Sequence, residues 1–144
     1  MICKGYLKII DSALGKVIKE MHNRFVTSGL SQVAAILNGE SSAVPTHIAV
    51  GSSNAAIEDG QTALQGTEYA RVAFATHERT GNAIELVAKF PAGVGSGVWE
   101  EAGIFNAESE GIMFSRALLG TYTKKELDSI EIHWTYKFID DGVD

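Results

Sequence analysis

The stretch Ile130-Glu131-Ile132-His133-Trp134-Thr135-Tyr136-Lys137-Phe138 alternates apolar and polar side chains, and it decides the fold class. Side chains of a strand point alternately to its two faces, so this pattern gives one apolar, aromatic face and one polar face. A polar face that meets water is typical of antiparallel sheets. We therefore predict a half-buried strand here. A shorter alternation of the same kind, over residues 84–90, predicts a second strand.

Turn-forming sequences separate the alternating segments. Asp11 and Gly15 flank the junction between residues 6–11 and 16–21, a composition typical of a β-hairpin turn that closes with a left-handed residue. Residues 78–82 and 108–111 have similar compositions. Three hairpins between strands indicate a mainly β fold. We predict an antiparallel β-sandwich with β-hairpins, in a single domain over residues 1–144.

One segment has helical periodicity. Its apolar residues recur at positions i, i+3, i+4 and i+7, namely Leu30, Val33, Ala34 and Leu37. Such a stripe is typical of the buried face of an amphipathic helix. Thr27 or Ser28 is suited to cap the start of this helix, and Asn38-Gly39 is suited to end it. We predict one short α-helix, over about residues 28–38, that covers one face of the sheet.

Composition and charge exclude several classes of function. The 144-residue chain has 12 Lys and Arg against 18 Asp and Glu, a formal net charge of −6. This acidic balance argues against nucleic acid or an anionic membrane as a partner, and no apolar run approaches the roughly 20 residues of a membrane span. Residues 1–11 lack the apolar segment of a signal peptide, so we expect synthesis in the cytoplasm. A single cysteine, Cys3, excludes an internal disulfide framework.

Two segments, residues 51–66 and 91–97, are small and polar or rich in glycine, and we predict that both are surface loops. The second loop lacks the G-x-G-x-x-G spacing of a phosphate-binding loop, and Val98-Trp99 indicates a following strand instead of a helix. Ser96 lacks the flanking glycines of a nucleophile elbow. The second loop is therefore interpreted as a flexible connection between strands.

Residues 112–119 are apolar at consecutive positions, interrupted only by Ser115 and Arg116. A strand that is apolar on both faces must be covered on both faces. The predicted helix is one candidate cover. The second cover is either another subunit or the second sheet of the same sandwich, and the sequence leaves both open.

No spacing of titratable residues indicates catalysis or metal binding. The histidines are scattered without H-x-x-H spacing, at His22, His47, His77 and His133. Cys3 lies in a terminus that we expect to fray. Glu100 and Glu101 are adjacent on a predicted strand, so their carboxylates point to opposite faces and cannot act on one substrate. One of the two should point inward or towards a partner, and Arg71 or Arg116 can neutralise it. We predict no catalytic residue, no metal and no cofactor.

Several short strings occur in a distinctive order. They are His22-Asn23-x-Phe25-Val26-Thr27-Ser28-Gly29-Leu30, Pro45-Thr46-His47-Ile48-Ala49-Val50-Gly51, Glu68-x-x-Arg71, Phe90-Pro91-Ala92, Glu101-Ala102-Gly103-Ile104-Phe105 and His133-Trp134-Thr135. In this order, over residues 8–138, the chain resembles small structural proteins of tailed bacteriophages, including the head-proximal domains of tail and collar fibres. The resemblance implies a non-enzymatic virion component, commonly trimeric. Fibre proteins continue into a shaft and a receptor-binding tip, so we expect a tail, baseplate or neck adaptor and not a whole fibre.

The expected function is that of a homotrimeric virion subunit attached to other phage structural proteins of the tail, neck or capsid. Attachment would bury apolar surface and pair strands between subunits, with residues 6–21 and 51–66 as candidate arms. The candidate interface residues are Trp99, Phe105, Phe114, Arg116 and Tyr122, all of which also suit core packing. Two alternatives are a capsid decoration (cement) protein that stabilises the head, and a host-surface or carbohydrate-binding module that uses exposed aromatic side chains.

Overall fold

A computed structural model describes residues 2–142, so the two ends of the predicted domain, residues 1 and 143–144, lie outside it. The described residues form nine strands and one helix: β1 (Ile2–Asp11), β2 (Lys16–Phe25), α1 (Thr27–Leu37), β3 (His47–Gly51), β4 (Glu68–Ala73), β5 (Thr76–Thr80), β6 (Ala83–Phe90), β7 (Gly97–Phe105), β8 (Met113–Lys124) and β9 (Ile130–Ile139). The strands form one curled antiparallel sheet in the order β4-β3-β7-β8-β2-β1-β9-β6-β5. This sandwich of hairpins confirms the predicted fold class.

Strand β9 confirms the alternation that decides the fold class. It pairs with β1 on one side and with β6 on the other. Its apolar side chains are buried in the main core, and they are Ile130, Ile132, Trp134 and Tyr136. The indole N–H of Trp134 donates to the side-chain oxygen of Asn23 over 2.6 Å, so the largest side chain of the strand is also satisfied as a donor.

The three predicted turns connect antiparallel strands. In the β1–β2 turn, the Asp11 carboxylate accepts hydrogen bonds from two backbone N–H groups, and Gly15 has a φ of 64°. Gly81 and Gly111 have φ values of 59° and 70° in the β5–β6 and β7–β8 connections. These positions need the left-handed backbone that glycine adopts without strain. The expectation that Cys3 lies in a fraying terminus is wrong, because β1 pairs with β9 from Ile2 to Asp11.

The predicted helix forms, but only part of the predicted apolar stripe is buried, since Val33 packs against the main core. Helix α1 spans Thr27–Leu37, and Gly39 follows it with a φ of 73°, as expected for a helix end. Leu30 and Leu37 are exposed, whereas Gly29 and Gln32 are buried. The amide of Gln32 donates to the Ser41 hydroxyl over 2.8 Å and to the Ala43 carbonyl over 3.0 Å. Because these acceptors satisfy its amide group, the polar side chain of Gln32 can occupy the buried face of the helix.

The start of the helix also differs from the prediction. Neither Thr27 nor Ser28 caps it, since Val26 occupies the N-cap position and makes no side-chain cap. The Ser28 hydroxyl instead donates to the carbonyl of Met113, the first residue of β8, over 2.8 Å. This bond fixes the helix to the sheet at the point where Gly29 meets the backbone of Phe114.

Strand β8 is covered on both faces by its own chain. Ala117 and Leu119 point into the main core, and Phe114 lies under α1. On the other face, Met113 and Arg116 are buried beneath the connection between β3 and β4. The apolar run at 112–119 therefore does not require a second subunit, and the alternative within one chain accounts for it.

Replacing Gly29 by Ala is expected to lower the free energy of unfolding by about 1–3 kcal/mol, because an added Cβ would overlap the backbone of Phe114. The matched control is Gly60→Ala, where no atom lies within 4 Å of the added Cβ and the backbone does not need glycine. We expect the control to change stability by less than about 0.5 kcal/mol in urea unfolding. Equal effects of the two substitutions would contradict a close contact between α1 and β8.

Candidate functional site

Strands β7 and β8 place two opposite charges side by side on the outer face of the sheet. Arg116 is the cross-strand partner of Gly103, and Glu101 is the partner of Leu118. Glu101 and Arg116 are both 0% exposed, and the Arg116 Nε donates to the Glu101 carboxylate over 2.9 Å. This confirms that one glutamate of the adjacent pair is buried, with Arg116 as its partner. Glu100 points away and accepts a hydrogen bond from the exposed Thr121 hydroxyl.

The connection between β3 and β4, residues 52–67, lies over this ion pair and satisfies the carboxylate. Three backbone N–H groups of the connection donate to Glu101, each over 2.8 Å, and they belong to Ser53, Gln65 and Gly66. Together with Arg116, these donors surround both carboxylate oxygens. A buried carboxylate without such donors would cost several kcal/mol, so the charge requires the loop to stay in place.

The same connection also satisfies the guanidinium group. Arg116 donates to the carbonyl of Ala55 over 2.8 Å and to the carbonyl of Ser53 over 3.2 Å. A longer contact of 3.3 Å reaches the side-chain oxygen of Gln61. Every polar contact of the ion pair beyond the pair itself is therefore made to residues of one loop.

Further contacts fix the middle of the loop. Arg24 on β2 forms an ion pair with Asp59 and donates to the carbonyl of Ile57 over 3.1 Å. Ile57 and Leu64 pack against the second apolar cluster, which contains Phe105 and Met113. The segment predicted as a candidate attachment arm, residues 51–66, is therefore not a free arm. Its small polar residues supply the backbone groups that the buried charges need.

Arg71, the other candidate partner of the glutamate, has a different role. It binds the carboxylate of Glu68 over 2.8 and 3.2 Å, and its guanidinium lies 3.8 Å from the centre of the Phe105 ring. It also donates to the carbonyl groups of Ala107 and Glu110 in the β7–β8 turn. Arg71 thus covers Phe105 and connects β4 to that turn.

The five candidate interface residues lie mostly inside the protomer. Trp99, Phe105, Phe114 and Arg116 are buried, and Tyr122 is half-buried with its ring 5.6 Å from that of Trp99. Four of the five are thus not presented to a partner in this structure. Exposed large apolar residues lie elsewhere, on the β1–β2 hairpin, around α1 and in the β8–β9 turn, and they include Leu14, Val17, Ile18, Leu30, Leu37, Val44 and Leu127.

Several titratable groups between residues 2 and 142 make local contacts. No three of the His, Cys, Asp and Glu side chains described there are arranged to hold a metal ion. A hydrogen bond from His133, 3.0 Å long, lowers the pKa of Glu131. His47 contacts the hydroxyl of Thr46 over 2.7 Å. Burial raises the pKa of Cys3 to about 11, which is the reverse of what an activated thiolate requires. In the described residues no helix is long and apolar enough to cross a membrane.

Comparisons with known proteins give no further assignment. No family model, no curated protein and no solved structure matches the chain. The site therefore has to be interpreted from its own geometry.

Replacing Glu101 by Ala is expected to destabilise the protein by about 3–5 kcal/mol, because Arg116 is left buried without its counter-charge. Hydrogen exchange of residues 52–67 should accelerate in the same variant, because three of their N–H groups lose their acceptor. Added formate fits the vacated position as a small carboxylate, so it should restore part of both properties. Glu100→Ala is the control and should change neither property, with or without formate. Unchanged loop exchange in Glu101→Ala would contradict the role of the ion pair.

The raised pKa of Cys3 predicts slow thiol chemistry. With a pKa of about 11 in place of the ordinary 9.0, the thiolate fraction at pH 8 falls by roughly 100-fold. A thiolate of higher pKa is also more nucleophilic, so alkylation by iodoacetamide should be slower than for free cysteine by about tenfold, and unfolding in urea should remove the difference. Alkylation of the folded protein at the rate of free cysteine would show that the thiol is neither buried nor perturbed.

Proposed function

We propose that the chain is a non-enzymatic structural subunit of a tailed-phage virion, trimeric and attached to the tail, baseplate or neck. The observation that carries this proposal is the β1–β2 hairpin, which combines exposed aliphatic side chains with an unpaired strand edge. The order of short motifs along the chain supports the same assignment, as a resemblance to small phage structural proteins.

The unpaired edge follows from the strand register. Strand β2 pairs with β1 from Lys16 to His22, but it pairs with β8 only from Asn23 to Phe25. Over residues 16–22 one edge of β2 therefore faces an opening between β2 and β8. The ammonium group of Lys19 crosses this opening and donates to the carbonyl of Gly120 over 2.6 Å. The backbone of residues 16–22 is unpaired on this side, so a strand from another protein that displaces the Lys19 bridge can pair with it.

The exposed apolar side chains of the hairpin also favour a role in attachment to a partner. Leu14 at the turn is 76% exposed, and Val17 and Ile18 are exposed beside it. Exposed aliphatic residues that lie close together along one hairpin are suited to a surface that a partner covers. By contrast, the buried charges Glu101 and Arg116 are fully engaged with the loop that covers them, so they are not accessible to a substrate. The hairpin is therefore the proposed attachment arm.

The two alternatives differ in how they fit the hairpin. A capsid decoration protein also attaches by burying apolar surface and pairing strands, so it differs from a tail adaptor in location alone. A carbohydrate-binding module needs exposed aromatic platforms, whereas Trp99 and Trp134 are both buried and donate their indole N–H groups to internal acceptors. The hairpin therefore favours an assembly role over glycan binding.

The location of the chain in particles tests this proposal. Virions released from cells that carry the gene are purified, analysed by mass spectrometry and labelled with gold-conjugated antibodies against the chain. We expect the chain to co-purify with the particles, with label at the tail, baseplate or neck. Label spread over the head would assign the cement alternative, and absence from the particles would overturn the virion assignment.

A matched pair of substitutions tests the proposed arm. Val17→Asp places a charge on the hairpin, and Val98→Asp does so at an equally exposed position on β7, since both valines are 42% exposed. Both variants should fold with ordinary stability. Incorporation of Val17→Asp into particles should fall by about tenfold or more, whereas Val98→Asp should be incorporated normally. Equal incorporation of the two variants would contradict the arm.

A further inference from the structure

Strands β2 and β8 diverge and leave an opening between their edges. They pair only over Asn23–Phe25 of β2, opposite residues 115–117 of β8. Beyond this point the opening has a volume of about 340 Å³, with residues 19–21 along one wall and residues 118–120 along the other. A cavity of about 15 Å³ already holds a water molecule. The opening therefore has room for part of another chain.

Both strands depart from regular geometry beside the opening. In β2, Ile18 is an extra residue between Val17 and Lys19, which pair with neighbouring residues of β1. In β8, residues 119–121 stand opposite Glu100 alone. A bulge of this kind interrupts the hydrogen-bond ladder and bends the strand. The two edges therefore do not pair with each other along the opening, and their backbone groups face it.

The bulge in β8 directs two carbonyl groups into the opening. Gly120 and Thr121 have left-handed backbones, with φ values of 62° and 65°. In a regular strand, successive carbonyl groups point to opposite edges. Here the carbonyl groups of Leu119 and Gly120 both accept from the ammonium group of Lys19, over 3.3 and 2.6 Å. Thr121 is fixed in its strained conformation by hydrogen bonds from its hydroxyl to the Glu100 carboxylate.

The ammonium group of Lys19 takes the place that backbone donors of an added strand would occupy. Neighbouring strands lie about 4.8 Å apart, so two edges with one strand between them lie about 10 Å apart. A lysine side chain and its hydrogen bond span such a distance, so the Lys19 bridge is compatible with a gap of one strand. Native sheets often place a lysine on an edge strand, where it blocks the addition of further strands.

The occupant that fits this opening is an extended segment of a partner protein. Both walls are strand edges, and a row of backbone donors and acceptors is matched by another extended backbone. Met21 and Leu118 are half-buried apolar residues that line the opening. A segment with apolar side chains is therefore favoured over a highly charged one.

We propose that the opening between β2 and β8 binds an extended segment of the assembly partner, and that the Lys19 bridge closes it in the free subunit. The segment pairs with residues 16–22 of β2, and its N–H groups replace the ammonium group at the carbonyl groups of Leu119 and Gly120. The bridge thus protects the edge from strand addition until the partner is met. This regulation deepens the proposed function and rests on it for the identity of the partner.

Peptide binding tests the bridge. The probe is a fluorescein-labelled synthetic peptide of residues 2–11 carrying Cys3→Ser, because this sequence already pairs with β2 on its other edge. Fluorescence anisotropy measures its affinity. Lys19→Ala should bind the peptide at least about tenfold more tightly than the wild-type protein, since no charged donor then holds the two carbonyl groups. Lys16→Ala, which removes a lysine of the same strand outside the bridge, should bind it as the wild type does.

Lys19→Arg is the conservative variant, because its guanidinium group can donate to the same carbonyl groups. It should bind the peptide as weakly as the wild type. Hydrogen exchange locates the bound peptide: residues 16–22 of Lys19→Ala should become protected, while β1 stays paired with β9. Equal binding to Lys19→Ala and Lys16→Ala, binding to neither, or protection that excludes residues 16–22 would overturn the inference.

Urea unfolding checks that each variant folds, and Lys19→Gln takes the place of Lys19→Ala if the alanine variant does not. Peptide binding and particle location are independent measurements. The Lys19 bridge can therefore fail its test while the virion assignment holds, and the reverse.

Discussion

The ion pair between Glu101 and Arg116 is the constraint on which the outer layer of the molecule depends. Both charges are removed from water, and beyond each other their polar partners belong to the loop that covers them. The desolvation of the pair is therefore compensated only while residues 52–67 remain closed. Small residues make this arrangement possible: a side chain at Gly51 would lie 2.9 Å from the Glu101 carboxylate, and Gly103 leaves space for Leu64.

The alternation of apolar and polar residues predicts the sheet because successive side chains of a strand point to opposite faces, so every second residue is buried. The ion pair was partly predictable for the same reason, since adjacent glutamates on one strand face opposite sides. The helix face was only partly predictable from periodicity, because Val33 packs against the core as the pattern indicates but the two fully buried positions are a glycine and a glutamine. Gly29 can be buried because it has no side chain and so fits against the backbone of Phe114. Gln32 can be buried because nearby acceptors satisfy its amide group. A pattern that counts apolar residues therefore selects Leu30 and Leu37, which are exposed.

The candidate surfaces were harder to predict than the core. Trp99 and Phe114 have the composition of interface residues, yet aromatic side chains serve interiors equally well. The loop at 51–66 resembles an exposed arm in composition, but its backbone groups are engaged by charges that lie far away in sequence. The exposed large aliphatic side chains lie on the β1–β2 hairpin and at other surface positions, and not among the buried aromatic residues.

The most direct test of the central role of the ion pair is a double-mutant cycle on Glu101 and Arg116, with each residue replaced by Gln alone and together. Urea unfolding gives the free energy of all four proteins, and hydrogen exchange reports the closure of residues 52–67. If the charges and the loop depend on each other, the coupling energy should be about 2–3 kcal/mol, and the loop should open in each single variant. A coupling energy near zero, with residues 52–67 protected in all four proteins, would contradict the central role of the ion pair.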